Sequence, residues 1–360
     1  MLGAVVVLAL VAGISASADV LQASPDVSQH DSRIVSGWEA REGQFPFMLW
    51  LRTVRWTGDV TACGGSIIHR SWGLTSARCT AQKTEVIIHA GSVNRNTPRV
   101  VLQARQTFRP PGYIDDMQPI TQPHDISLMR FSQDLNFDNN IQPIRIQRSA
   151  DRDRDYTQVL MTTSGWGTTW TCLEADSVGA PPGPALRQIL IGIQRSADRD
   201  RDYTQVLMTT SGWGTTWTCL EADCPMPVIL NWVHLKGISN LLCLLLYNSN
   251  WHIRPSTVCA ISYNVTSQGI CAGDSGVPLT TVEADGVASQ VGIGSFASGW
   301  GCHVGMPGGF TRTGYYHDWI TQVTGINFDR RTAVADDDLS DVDPGFSPIS
   351  LPLPDEEVVM

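Results

Sequence analysis

The residues with the clearest chemical potential are Gly273-Asp274-Ser275-Gly276. A serine between small neighbours lets a substrate backbone approach its hydroxyl, as a nucleophile requires. The same four residues also make an ordinary turn, so the motif carries weight only with partners. Asp125, in His124-Asp125-Ile126-Ser127-Leu128, stands at the head of an alternating strand pattern. It reads as a carboxylate that orients a base, or equally as a turn or N-cap aspartate. The base itself is hard to find. His69, His89, His124, His234, His252, His303 and His317 sit in no local motif and read as packing or surface residues. His124 adjoins Asp125, but consecutive strand residues face opposite sides. No CxxC or HExxH spacing occurs, so neither a metal nor a cofactor is expected.

Such residues need a framework, and the chain has material for one. It is 360 residues long, 42% hydrophobic and 17% charged, which suits a sizeable core. Short alternating segments at 49–54, 84–90, 100–104, 126–131 and 291–296 predict strands. Helical periodicity is scarce before 315–323, so the pattern predicts an all-β barrel or sandwich with a C-terminal helix. The apolar stretch 241–247 reads as a buried strand or a short helix. The first 18 residues carry an apolar run and end in Ala16-Ser17-Ala18, the small-x-small pattern of a secretory signal. That run is shorter than the ~20 residues of a membrane span. The chain is therefore expected to be secreted and extracellular, with no membrane partner and with disulfides permitted.

The formal net charge is −10, but from 327 to 360 nine Asp and Glu face only Arg330 and Arg331. The body is near neutral and lacks a basic stripe, which excludes nucleic acid as a partner. Residues 326–360 are acidic and proline-containing, so a disordered tail is expected there. Residues 146–176 recur without a mismatch at 193–223. Two identical copies are unlike the diverged repeats of a solenoid. One strand position in a closed barrel accepts one copy, so one segment is surplus. Removing 191–230 rejoins the chain as PALRQIL-NWVHLKGISN, so that segment is expected to loop out or to be no genuine part of the protein; with the second copy as the native one, one segment is still surplus. Cys172, Cys219 and Cys224 lie in this region and account for the odd total of nine cysteines.

Several separated segments together resemble one family. They are Arg33-Ile34-Val35-Ser36-Gly37, then Cys63-Gly64-Gly65-Ser66 through Thr75-Ser76-Ala77-Arg78-Cys79, then His124-Asp125-Ile126-Ser127-Leu128. Ser164-Gly165-Trp166-Gly167 and Gly273-Asp274-Ser275-Gly276-Val277-Pro278-Leu279 complete the series. In this order they resemble the chymotrypsin/trypsin-like (S1) serine protease family, most of all its insect and crustacean chymotrypsin- and collagenase-like members. The resemblance covers 34–325 and implies two six-stranded antiparallel barrels, at 34–145 and 146–325, with a C-terminal helix. A signal peptide at 1–18 and a propeptide at 19–33 would precede them.

The resemblance also implies roles. Cleavage after Arg33 by a trypsin-like protease would free the amine of Ile34, which would pair with buried Asp274 beside Ser275. That pairing would order the N–H groups of Gly273 and Ser275 into an oxyanion hole. Asp125 would be the orienting carboxylate. Gly269 would form the base of the specificity pocket, with Ala297 and Gly308 as its walls. These glycines also fit ordinary turns. With no carboxylate among them the pocket would take large apolar side chains rather than Lys or Arg. Disulfides Cys63–Cys79, Cys243–Cys259 and Cys271–Cys302 are implied, each stabilising by about 2–4 kcal/mol. Asn264-Val265-Thr266 is a glycosylation acceptor.

Two departures stand out. Val277 occupies a position where the family usually has a second glycine. More consequentially, the family motif ends Ala-His-Cys, whereas this chain reads Ala77-Arg78-Cys79. The histidine takes the serine's proton and passes it to the leaving amine. A guanidinium keeps its protons and cannot act as that base. Arg78 is instead able to pair with Asp125, keeping a folded cleft while silencing it. The leading expectation is a secreted, proteolytically inert homologue that binds a polypeptide or protein partner in its cleft. A second is an active, digestive chymotrypsin-like endopeptidase, which requires histidine at position 78; one base change separates the two codons. A third is a product that never folds because the duplication disrupts the second barrel.

Overall fold

The structure is a computed structural model that describes residues 37–117, 121–167, 209–211, 226–248, 252–263, 268–299, 302 and 304–330. The signal and propeptide segments, Arg33, Ile34, Asn264, His303 and the cysteines at 172, 219 and 224 lie outside them.

Strands β2 (Met48–Arg55), β3 (Val60–His69), β4 (Trp72–Thr75), β5 (Lys83–Ala90), β6 (Val100–Phe108) and β7 (Ser127–Phe131) close the first barrel in the order β2-β3-β4-β7-β6-β5. Its inward alternation is visible in β5, where Val86, Ile88 and Ala90 are buried between more exposed neighbours. Leu49, Leu51, Ile67 and Met129 fill the interior. The second barrel uses β9 (Leu160–Gly165), β11 (Asn231–Ile238), β12 (Thr257–Ser262), β13 (Pro278–Val282), β14 (Ala288–Phe296) and β15 (Gly308–Arg312). Its ring runs β9-β13-β14-β15-β12-β11 and closes on β9, every pair antiparallel. The expected pair of six-stranded antiparallel barrels is therefore the observed fold.

Two edge strands tie onto this frame: β1 (Trp38–Glu39) pairs with β11, and β8 (Arg145–Ile146) runs parallel to β14. A third core joins the two barrels to the C-terminal helix through Phe47, Ile126, Trp166, Ile293 and Ile320. The 241–247 stretch resolves as helix α1 (Asn240–Leu246), because Ser239 caps it by accepting from the Leu242 N–H. Helix α2 (His317–Thr324) matches the expected C-terminal helix and stops at Gly325, whose φ of +75° suits a left-handed cap.

The duplicated segment leaves a distinct mark. Strand β10 (Thr209–Ser211), from the second copy, lies parallel to β9, from the first. Thr209 pairs with Thr162 and Thr210 with Thr163, so each residue meets its own counterpart. On β11, Thr210 faces Val233, the same register that Thr163 holds through the β9 pairing. Both copies address one seat.

Two boundaries need correction. The surplus segment does not reach 230. Leu230 is buried, its N–H donates to the Val93 carbonyl, and its carbonyl accepts from the Ala40 N–H. Ile229 also bridges Asn94, and the Arg95 guanidinium donates to the Met226 carbonyl. Nor does the tail begin at 326. Phe328 is buried in the inter-barrel core, and Asp329 accepts from the Ser149 N–H and hydroxyl. Apolar anchors hold these residues to the frame, whereas 331–360 lie outside the described residues.

Candidate active site

The site lies where the barrels meet, and each barrel supplies part of it. Arg78 sits on a one-turn 3-10 helix, Ala77–Cys79, that follows β4. The disulfide Cys63–Cys79 fastens that turn to β3. Asp125, 1% exposed, directly precedes Ile126 and the strand β7 that pairs with β4, so adjacent strands of one barrel set the two residues side by side. Both carboxylate oxygens are taken. Oδ1 accepts from the Arg78 backbone N–H at 3.0 Å and Oδ2 from Arg78 Nε at 3.0 Å. The second barrel adds two bonds: Ser295 Oγ donates to Oδ2 at 2.7 Å, and Thr311 Oγ1 donates to the Asp125 carbonyl at 3.0 Å. Ser295 and Thr311 were not identified as partners of Asp125 from the sequence, because nothing local marks contacts across such separations.

Ser275 lies on the loop between Cys271 and β13. Gly273 and Gly276 have φ of +94° and +88°, which glycine adopts without strain. A Cβ on Gly276 would come within 2.2 Å of Thr75 Oγ1 and 2.3 Å of the Gly64 carbonyl. The Gly64 N–H donates to the Ser275 carbonyl at 2.8 Å, fixing the loop to the first barrel. The N–H groups of Gly273 and Ser275 donate to no acceptor among the described residues, and the Ser275 hydroxyl makes no hydrogen bond there either. Val277 is fully buried. Its Cγ1 fills the space that a Cβ on Gly64 or Gly165 would occupy, at 2.5 and 2.3 Å. The departure from the family pattern is thus absorbed by two glycines.

Asp274 points the other way, into the protein. It accepts from the Cys271 N–H at 2.9 Å and from the Gly167 N–H, and a Cβ on Gly165 or Gly167 would collide with its carboxylate. This gives Ser164-Gly165-Trp166-Gly167 a physical reason. Burial pushes the Asp274 pKa up to about 7, against those two N–H bonds, which lower it.

A cavity of about 210 Å³ opens beside Ser275, lined by Ile270, Phe296, Ala297 and the Cys271–Cys302 disulfide, with Arg78 at the same cavity. Gly308 packs behind Ile270, and Gly269 stands 3.8 Å, measured from a Cβ built on it, from the Cys302 carbonyl. No described histidine is hydrogen-bonded to Ser275. His69 accepts from the Ser71 N–H, His124 bonds Tyr316 Oη at 2.9 Å, and His317 lies 3.2 Å from Asp329. His89 stands against Trp50, and His234 against Trp232. His252 lines a neighbouring crevice with His124 and Ser295; burial, Arg254 and then Arg78 hold its pKa below the usual value.

The family model described as Trypsin matches residues 34–180 and 189–320, most of the chain. The chain belongs to the trypsin family. Similar proteins include a collagenase of Hypoderma lineatum, 27% identical over 83% of this chain and 90% of the relative. Chymotrypsin-2 of Vespa crabro is 28% identical over 80% of this chain and 98% of its own length. The solved structure of HL collagenase superposes with a TM-score of 0.59 at 26% identity, covering 81% of this chain and 99% of its own. Within this trypsin-family frame the described cysteines form the three disulfides Cys63–Cys79, Cys243–Cys259 and Cys271–Cys302.

Proposed function

We propose that this trypsin-family protein is secreted as a zymogen, is proteolytically inert, and works by holding polypeptide in its cleft. The observation that carries the reading is the pairing of Arg78 with both oxygens of Asp125. The carboxylate that would orient a histidine is committed to a group that cannot accept a proton. The serine hydroxyl is left without a base. The retained features, an open cavity and unengaged N–H groups at Gly273 and Ser275, leave the cleft able to bind polypeptide. Ile270, Phe296 and Ala297 give its mixed lining an apolar part suited to large hydrophobic side chains. Three disulfides and the N-terminal apolar run support an extracellular location. Cleavage after Arg33 by a trypsin-like protease, with Ile34 then meeting Asp274, is the expected maturation step.

The test is to cut the purified chain with trypsin and add a fluorophosphonate probe and peptides containing Phe or Leu. The wild type should show neither labelling nor turnover, since losing the triad histidine costs about 10⁶ in turnover. Arg78→His should gain both. Brisk turnover by the wild type would sink the reading. A second reading, an active chymotrypsin-like endopeptidase, is favoured by the otherwise complete site and by relatives named collagenase and chymotrypsin. It requires histidine at position 78, which resequencing codon 78 of the transcript decides.

A further inference from the structure

We propose that the cleft binds the free C-terminus of a polypeptide ending in a large apolar residue, with Arg78 and the Ser275 loop holding the terminal carboxylate. This rests on the inert reading of Arg78 and adds a ligand to it.

The cleft presents several donors that are unengaged among the described residues. Only the Nε and the backbone N–H of Arg78 are committed to Asp125; its two terminal nitrogens make no bond in the described structure. Its side chain is 22% exposed and faces the same cavity as Ser275. The N–H groups of Gly273 and Ser275 and the Ser275 hydroxyl are likewise unengaged. An intact peptide bond offers this cluster one carbonyl oxygen. A terminal carboxylate offers two oxygens and a full negative charge, the geometry a guanidinium fork matches.

The Asp125 carboxylate offsets part of the Arg78 charge, and Arg254 adds a second cation nearby. Arg78 and Arg254 both act on His252 at the neighbouring crevice, and both disfavour its protonated form. Asp274 adds no acceptor to the cluster, because its carboxylate is turned inward onto the Cys271 and Gly167 N–H groups. The cavity of about 210 Å³ behind the donors, walled by Ile270, Phe296 and Ala297, then selects the terminal side chain. A base at position 78 would favour attack on an internal bond. The fixed cation there favours what remains after such a bond has been cut.

The test uses the full chain, before and after trypsin cleavage, with three fluorescent peptides. One ends in Phe as the free acid, one ends in Phe amide, and one carries the same Phe internally. Binding is read by fluorescence polarisation and peptide integrity by mass spectrometry. The free acid should bind at least tenfold more tightly than either of the others. Arg78→Gln should lose that preference while keeping weak binding of all three. Equal binding of acid and amide by the wild type, no binding of any peptide, or a preference unchanged in Arg78→Gln would overturn the proposal. Because the acid–amide contrast is made on the wild type, it stands even if the variant misfolds. Cleavage of the internal-Phe peptide would instead overturn the inert reading, so the two failures look different.

Discussion

At the scale of single residues, Asp125 is the hub. Its carboxylate takes two bonds from Arg78 and one from Ser295, and its carbonyl takes one from Thr311, so one buried residue holds donors from both barrels. Removing one partner of a buried pair leaves the other without compensation, which costs more than the pair contributes. Asp125→Ala should therefore destabilise the chain by about 3 kcal/mol or more in urea unfolding. Arg78→Gln should also destabilise the chain, because it leaves the buried Asp125 carboxylate without its cation, although the backbone N–H at 78 and the Ser295 hydroxyl still donate to it. If both variants unfold at the wild-type midpoint, the Arg78–Asp125 pair is not the structural link described. Val277 makes a related point. A residue that departs from the family pattern is tolerated because Gly64 and Gly165 leave room for its methyl groups.

At the scale of elements, the duplication sets two equivalent strands against one seat on β11. Deleting 177–223 joins Asp176 to Cys224, the same junction that Asp223 makes in the full chain, and leaves one copy. That variant should fold with an unchanged or higher melting temperature, since among the described residues only the competing strand β10 is lost. Deleting 191–230 should lower it or prevent folding, because it removes Leu230 and Ile229 from their contacts with Ala40, Val93 and Asn94. Circular dichroism melts of both would decide; the reverse ranking would refute the anchoring of Ile229 and Leu230 to the frame. Elements with one wet face were legible in sequence, as β5 shows with its alternating burial. β9 was not, because all six of its residues are buried and no alternation survives. The 241–247 helix was ambiguous because its deciding feature, the Ser239 cap, is a single bond outside the apolar run. The motif residues of the site were readable one by one. Their contacts were not: Ser295 meets Asp125 across 170 residues of sequence, and only the closed barrels bring them together.

At the scale of the whole molecule, the proposed maturation would link stability to the state of the N-terminus through Asp274. In the described structure Asp274 is a carboxyl group buried on two N–H bonds, with its pKa pushed up to about 7 by desolvation. A raised folded pKa means that the fold binds this proton more tightly than the unfolded chain does. The group's contribution is therefore fully present below about pH 4 and is lost as pH rises toward 7. The loss amounts to about 4 kcal/mol over that window. The wild type should lose stability across it relative to Asp274→Asn, which cannot ionise and lacks this slope; the difference between the two curves removes the titration of every other group. Cleavage after Arg33 would supply the Ile34 amine as a counter-charge, so the cut protein should retain its stability up to pH 7. Arg33→Gln, which resists the cut, should keep the slope after trypsin treatment. Matching curves for the wild type and Asp274→Asn would refute the buried-carboxyl account. A slope that persists in the cut wild type would refute the pairing of Ile34 with Asp274 and leave the rest intact.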